Sequence, residues 1–303
     1  VTYDKITAIF HLAYDWKIAL NAIRRLAPHV DKVLLVFDQD CKTWTLRDYE
    51  KPDFGVVYAH LAYHGVKYNH IDILQQPFSS ALYTDPAMLR YSRLPHILGL
   101  KPPSLYRETL QRNWSTLQAE PESWIMQIDG DEWMERPSAF CQWLRQQDTE
   151  SVIYARWLNV WKRVKGGFLI VDPDTLADGS FARLATTRPG DLSVSRAPAR
   201  GDVVWAPQRL LHWTLGGRGG RVALEQKLKG WGYMPSDEAA DAFLDVWDQT
   251  NETNYQDQRW VNPTRAPGYS NERLMFITQE ELNRRYGPDD YERFSEEWPP
   301  TTT

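Results

Sequence analysis

Two apolar runs with a helical pattern between them constrain this chain most. Lys5–Ala13 reads KITAIFHLA and Val33–Phe37 reads VLLVF. Runs this continuous suit strands buried on both faces. Between them Trp16, Ala19, Leu20, Ile23 and Leu26 recur at helical spacing, and Pro28 ends the helix. Strand, helix and strand in so short a span form a βαβ unit, whose right-handed crossover implies a parallel sheet. The expected class is α/β. No GxGxxG follows the first strand, so the dinucleotide fingerprint is absent.

A second passage of the same kind follows. Ser104 can cap a helix over Leu105–Gln118, which feeds the short apolar run Trp124–Ile128. That run ends in three carboxylates, Asp129, Asp131 and Glu132, with Gly130 allowing a tight turn. Ligands collect at the carboxyl ends of strands in open α/β sheets. Acids there suit a hard divalent cation that completes its shell with water and substrate phosphates. Asp-x-Asp also arises by chance about once in a chain of this length, so the same acids fit a solvated turn.

The rest reads more simply. Val56–Ala62 and Ile71–Leu74 are expected as short strands, and the proline-rich 75–103 as irregular. Pro137 opens a helix carrying Ala139, Phe140, Trp143 and Leu144. Ser151–Val160 and, after the Gly166-Gly167 turn, Phe168–Val171 are strands. Beyond Arg221 the expectation is helical: Arg221–Lys229, a helix capped by Ser236 with stripe Ala239, Phe243, Val246 and Trp247, then Glu280–Tyr286 and Asp289–Glu296. The expected division is a sheet-forming catalytic part over 1–221 and a helical extension over 222–303 packed on it.

Composition narrows the partners. The 303 residues are enough for a sizeable core, with 42% hydrophobic and 25% charged residues. No apolar run approaches the roughly 20 residues of a membrane span. No signal-peptide pattern opens the sequence, and two cysteines, Cys41 and Cys141, give no disulfide framework, so a cytoplasmic setting is expected. A net charge of −5 does not advertise nucleic-acid binding by the whole surface. Fourteen Trp and fifteen Tyr serve the core, or stack on sugars and bases. Arg183, Arg188, Arg196, Arg200, Arg209, Arg218 and Arg221 share a window without lysine, which favours bidentate phosphate or carboxylate recognition or forms a solvated basic face. Gly216, Gly217, Gly219 and Gly220 form a small-residue loop there that can approach phosphates.

Together these pieces resemble a family-2 nucleotide-sugar glycosyltransferase with the GT-A fold. Four matches carry the resemblance: Asp38 at the end of the second strand; Arg112-Asn113 on the helix before the acidic strand; IDGDE at Ile128–Glu132; and LLHW, Leu210–Trp213, followed by EQKLKGWG, Glu225–Gly232. They span about residues 5–247, an estimate of reach from motif order. The turn DQDCKTW and the glycine loop at Arg218 depart from the family pattern.

The resemblance implies a Rossmann-like, mostly parallel central sheet with flanking helices and a helical C-terminal extension. It implies a donor that is a nucleotide diphosphate sugar, with UDP as the nucleotide, and a manganese or magnesium ion. Asp131 and His212 would hold the metal, and Asp129 would reach it through water or contact the donor ribose. Asp38 would read the base or ribose. Arg112, Asn113 and Arg218 would line the diphosphate, and Glu132 would orient its neighbours or the sugar. Inversion requires a general base, for which Asp191, Asp202 and Asp237 are candidates. The acceptor is a hydroxyl on a glycan or on a hydroxylated DNA base. Two rival classes fit the acids: a metal-dependent nucleotidyltransferase or phosphohydrolase, and a non-catalytic carbohydrate-binding protein.

Overall fold

The computed structural model describes residues 2–76, 78, 103–173, 181–213, 220–230, 234, 236–258, 261–263 and 272–286. The first βαβ unit is present: β1 (Lys5–His11), α1 (Trp16–Leu26) and β2 (Lys32–Asp38), with β1 and β2 parallel. Trp16, Ala19, Leu20, Ile23 and Leu26 are the buried stripe of α1. Next comes α2 (Phe54–Tyr63), where the sequence suggests a strand at Val56–Ala62. Asp53 overrides the β-branched Val56-Val57 pair by accepting the backbone N–H groups of Gly55 and Val56 at 2.9 and 3.2 Å. Val57 and Leu61, four apart, then bury one helical face.

β3 (Ile71–Gln76) extends the sheet beyond β2. α3 (Pro103–Thr116) leads to β4 (Ser123–Asp129), which pairs with the other edge of β1. Pro103, not Ser104, opens α3, because a proline at the first helical position loses no intrahelical bond. The parallel order is β3-β2-β1-β4, so the chain reverses its direction of growth at β1. Alternate residues of these strands face opposite layers. Ile9, Leu34, Val36 and Ile125 pack under Tyr106, Leu110 and Trp114 of α3. Ile6, Phe10, Val33 and Leu35 face the main core with α1.

Beyond β4 the sheet changes character. β5 (Glu132–Met134), α4 (Pro137–Leu144) and the fourteen-residue β6 (Ser151–Val164) are followed by β7 (Gly167–Val171) and β8 (Phe181–Thr186). β9 (Leu192–Val194) and β10 (Ala197–Pro198) form a separate small hairpin, and β11 (Asp202–Trp205) and β12 (Leu210–His212) return to β6. α5 (Gly220–Gly230), α6 (Asp237–Gln249), β13 (Leu274–Thr278) and α7 (Gln279–Tyr286) complete the described chain.

The main sheet follows the order β13-β7-β6-β8-β4-β1-β2-β3. Its pairings from β13 to β4 are antiparallel and those from β4 to β3 parallel. The expectation of a mostly parallel sheet is therefore corrected to a large mixed, strongly curled sheet, a half-barrel, with helices. After β4 the chain passes through α4 into β6, the β6–β7 hairpin reverses its direction, and β8 inserts antiparallel between β6 and β4. β6 is the spine: it pairs with β11 and β8 near its start, then β12, then β7.

The region after Arg221 is not wholly helical, because β13 adds an edge strand beside β7. Ser236 caps α6 through the Ala239 N–H at 3.2 Å, as expected. The buried stripe of α6 is Ala240, Phe243, Leu244 and Trp247, and it packs with Leu224 and Leu228 of α5 on Trp161 and Leu169. The expected helix at Asp289–Glu296 and most of the proline-rich 75–103 segment lie outside the described residues. Among the described residues no helix is long and apolar enough to cross a membrane.

Gly167 shows how tightly β13 sits. A methyl group there would collide with the Ile277 carbonyl oxygen and come within 3.0 Å of Thr278 Cα, both backbone atoms. Gly167→Ala is expected to lower stability by about 1–3 kcal/mol, the usual cost of overpacking. A urea-unfolding midpoint unchanged by the substitution would show that β13 can move away freely.

Candidate functional site

The site begins where the parallel order reverses. The ladder sets His11, the last residue of β1, beside Asp129, the last residue of β4. Two residues on, the chain turns into β5, and β5 pairs antiparallel with β12 so that Glu132 faces His212. β12 also pairs with β6, placing His212 beside Asn159. The Trp213 N–H closes the corner on the Asp131 carbonyl at 2.9 Å. Backbone register alone thus brings Asp129, Asp131, Glu132 and His212 together from segments some eighty residues apart, a separation read from their numbers.

Gly130 is not there for a left-handed turn; its φ is not among the positive ones. The reason is close approach: a Cβ at Gly130 would lie 2.6 Å from Asp15 Oδ2. Asp15 occupies the N-cap of α1 without capping it. Its Oδ1 accepts the Ala13 N–H at 3.1 Å. Burial first, and Asp131 next, push its carboxyl up to about 7.

Beneath this surface lies a buried charge network. Glu132 is fully buried and receives both Arg196 terminal nitrogens at 2.7 Å, the Trp157 Nε1–H at 2.9 Å and the Asp129 N–H at 3.0 Å. Arg112, also buried, donates to Asp129 Oδ1 at 2.8 Å and to Glu108 at 3.0 Å. Its third nitrogen donates to His11 Nδ1 at 3.2 Å, so the other His11 nitrogen carries the proton and donates to Ser115 Oγ at 2.9 Å. Burial, then Arg112, holds His11 well below its ordinary range, in keeping with this neutral ring. Burial alone would raise the Asp129 carboxyl, but Arg112 and Arg196 outweigh it and lower it. Both guanidinium groups flank Asp129, so its oxygens already have cations.

Asp131 is placed differently. It is buried, and its Oδ2 meets Lys227 Nζ from α5 and stands 3.5 Å from His212 Nε2. Burial would raise this carboxyl; Lys227 and His212 reverse the effect and lower it. The His212 ring is stacked on Trp157 at 4.7 Å between centroids, and its Nδ1 lies 2.9 Å from Asn159 Oδ1. An amide oxygen only accepts, so Nδ1 carries the proton. Burial lowers the proton affinity of the ring, so Nε2 presents a lone pair.

The Asp131 oxygen that meets Lys227 thus also faces the imidazole Nε2, 3.5 Å away. Asp131 and His212 are the two side chains that would hold a divalent ion here, once Lys227 left the shared oxygen. The Asn159 contact fixes the orientation of the His212 ring, as an outer-shell bond would for a ligating histidine. Among the described residues no group of three His, Cys, Asp or Glu side chains is arranged as a metal cage. Two protein ligands still fit a hard cation that takes its remaining ligands from water and substrate. Charge points the same way. Arg112, Arg196 and Lys227 are three cations against four anions, Glu108, Asp129, Asp131 and Glu132.

The other expected residues fall elsewhere. Asn113 is fully buried and bonds the Leu192 N–H and C=O at 2.9 and 2.8 Å, fastening β9 to α3 rather than facing a donor. Asp38 is buried at the end of β2, with Oδ1 accepting the Asp40 and Lys42 N–H groups at 3.0 and 3.3 Å. The turn it organises carries Trp44, whose ring lies 5.1 Å from the Arg112 guanidinium. Arg218 lies outside the described residues.

None of the three candidate bases is brought to Asp131 by a hydrogen bond or ion pair among the described residues. Asp202 pairs with Ser151 at the start of β6, whereas His212 pairs with Asn159 eight residues along it. At about 3.3 Å per residue the separation is roughly 26 Å, too far for proton transfer. Asp191 meets Arg200 at 3.3 Å, and Asp237 meets Arg47 at 2.5 Å on the surface.

Sequence reasoning missed Asp15, Trp157, Asn159, Arg196 as a clamp, and Lys227. Lys227 lies within the EQKLKGWG segment that drew attention to His212. Asp15 had a signal, an acid immediately before a predicted helix, but not its inward turn. No protein-family model matches this chain, and no curated protein matches it.

Proposed function

We propose that this protein is a metal-dependent glycosyltransferase of GT-A type, moving a sugar from a nucleotide diphosphate donor to a hydroxyl acceptor. The observation that carries the reading is the Asp131–His212 acceptor pair at the carboxyl ends of parallel strands, where the sheet order reverses. Asp131 and His212 would hold manganese or magnesium. When bound, such an ion neutralises the diphosphate as it leaves.

The protein's own contribution is positioning and charge. Asn159 and Trp157 fix the His212 ring, and Glu132, held by Arg196, fixes the turn that presents Asp131. Arg112 and Arg196 keep Asp129 ionised at the margin of the site, where it can accept from a donor ribose hydroxyl. Asp38 and its turn stand at the neighbouring strand end, where base or ribose would lie.

The arginine window favours a glycan over DNA as the acceptor. Arg188 pairs with Glu150, Arg196 with Glu132, Arg200 with Asp191, and Arg221 with Asp245 and Asp248. These four of the seven arginines are neutralised by carboxylates and so add little to a phosphate track.

A thermal-shift screen of nucleoside diphosphates and their sugars, with manganese, magnesium or EDTA, tests the reading. A ligand that binds only the folded state raises the melting temperature by mass action. One nucleotide should shift it in the presence of metal, and Asp131→Asn should abolish the shift. With the best sugar on that nucleotide, Asp131→Asn should lower turnover by about 100-fold or more, the scale of losing a main electrostatic stabiliser. Folded protein that responds to no nucleotide at millimolar concentration would refute the donor site.

A further inference from the structure

We infer that Lys227 is an exchangeable counter-ion: a divalent metal displaces its ammonium from Asp131, and the freed ammonium then takes the diphosphate. The second half of this inference rests on the donor reading above; the first half does not.

Three observations lead to it. Lys227 Nζ meets the same Asp131 oxygen that faces His212 Nε2, so ammonium and metal would compete for one position. That position carries a cation in the resting protein because Asp131 is a buried carboxylate. An unpaired buried carboxylate is costly, and Lys227 removes that cost in the resting protein.

The third observation is where Lys227 comes from. It projects from α5, whose Leu224 and Leu228 are packed on the second core. The end of α5 is tied to the turn after β2, where Thr45 Oγ1 donates to the Gly230 carbonyl at 2.8 Å. The backbone is therefore anchored while the side chain has four rotatable carbons. A lysine is a compact charge on a flexible stem, suited to moving between two oxygen partners (an arginine clamp is not). The neighbouring Lys229 is engaged differently, with Glu225 and Asp241 at 2.7 Å. It serves as an internal reference.

The experiment labels lysine amines of the wild-type protein with an acylating reagent and reads each site by mass spectrometry. Saturating manganese alone should raise Lys227 labelling several-fold while leaving Lys229 unchanged, and adding inorganic pyrophosphate with manganese should suppress it again. Manganese affinity, read by electron paramagnetic resonance without nucleotide, should tighten about tenfold in Lys227→Gln, as expected on removing a charge-assisted competitor. Lys227→Arg preserves the charge and should stay as weak as wild type, which separates competition from a folding defect.

Manganese bound at Asp131, shown by its loss in Asp131→Asn, with Lys227 labelling unchanged would overturn the exchange while leaving the metal site intact. No manganese binding to any variant would overturn exchange and metal site together. Exposure of Lys227 by manganese without re-protection by pyrophosphate would overturn the inference as stated and count against the diphosphate donor.

Discussion

Arg196→Ala is expected to destabilise the protein by about 3–5 kcal/mol, the range for removing one partner of a buried ion pair. Glu132 is fully buried, and both of its oxygens depend on the Arg196 guanidinium. Without it, one Trp157 N–H and one backbone N–H would remain to stabilise a carboxylate out of water. Asp129 would also lose one of its two cations. Lysine should rescue little, because a single ammonium cannot reproduce two parallel N–H bonds. Pairing the change with Glu132→Gln should recover a large part of the loss, since the stranded charge is gone. Urea unfolding of the four proteins gives the coupling directly. Arg196→Ala within 1 kcal/mol of wild type would mean that the clamp contributes little to stability.

The second large effect concerns pH. The Asp15 carboxyl is pushed from 3.8 to about 7 in the folded protein. Below pH 4 it is protonated in both folded and unfolded chains and contributes nothing. Between pH 4 and 7 the unfolded chain has released this proton while the folded chain retains it, so stability falls as pH rises. The shift corresponds to an upper bound of about 4 kcal/mol at neutral pH, at 1.36 kcal/mol per unit. Water reaches part of the Asp15 side chain, so a loss on the order of 2 kcal/mol is the working expectation.

Asp15→Asn should therefore be more stable than its parent at pH 8 in EDTA, and the difference should vanish toward pH 4. Asp129 and Asp131 act in the opposite sense: their lowered carboxyls contribute stability that is lost as pH falls through the acid range. Comparing variant and parent at each pH cancels that background. A parent and variant that lose stability in parallel from pH 5 to pH 8 would show that Asp15 titrates normally.

The parallel half of the sheet was legible because burial on both faces leaves a sequence signature: continuous apolar strands alternating with a helical stripe. The antiparallel half carried no such mark. The Gly166-Gly167 turn was readable, but which strands β8 returns to, β6 on one side and β4 on the other, is not a local property. α2 was misread because a single capping aspartate decided against β-branched residues. Asp131 could be found from its position after an apolar strand, and His212 from the resemblance carried by the LLHW and EQKLKGWG segments. Asp202 could not be excluded until strand register gave its distance along β6. Arg196 and Lys227 were visible as charges, but their partners lie 64 and 96 residues away. Sequence spacing is silent over such ranges.

β6 has a consequence for how the molecule moves. Within six residues it holds the site through Trp157 and Asn159, then the distal helices through Trp161 and Lys162. Trp161 donates to the Val261 carbonyl and accepts from the Trp247 indole. Lys162 gathers the Trp247, Asp248 and Thr250 carbonyls at the end of α6. If the last turn of α6 frays, it strips a lysine of its acceptors and uncovers a tryptophan on the same strand that aligns His212. Such fraying therefore costs more than at an untied helix end, because it breaks contacts made by the strand that carries the histidine's own scaffold. Distal helices of this kind act as a splint. They leave His212 on a strand tied at both ends, and freedom near it falls to the side chain of Lys227, whose helix backbone is itself anchored.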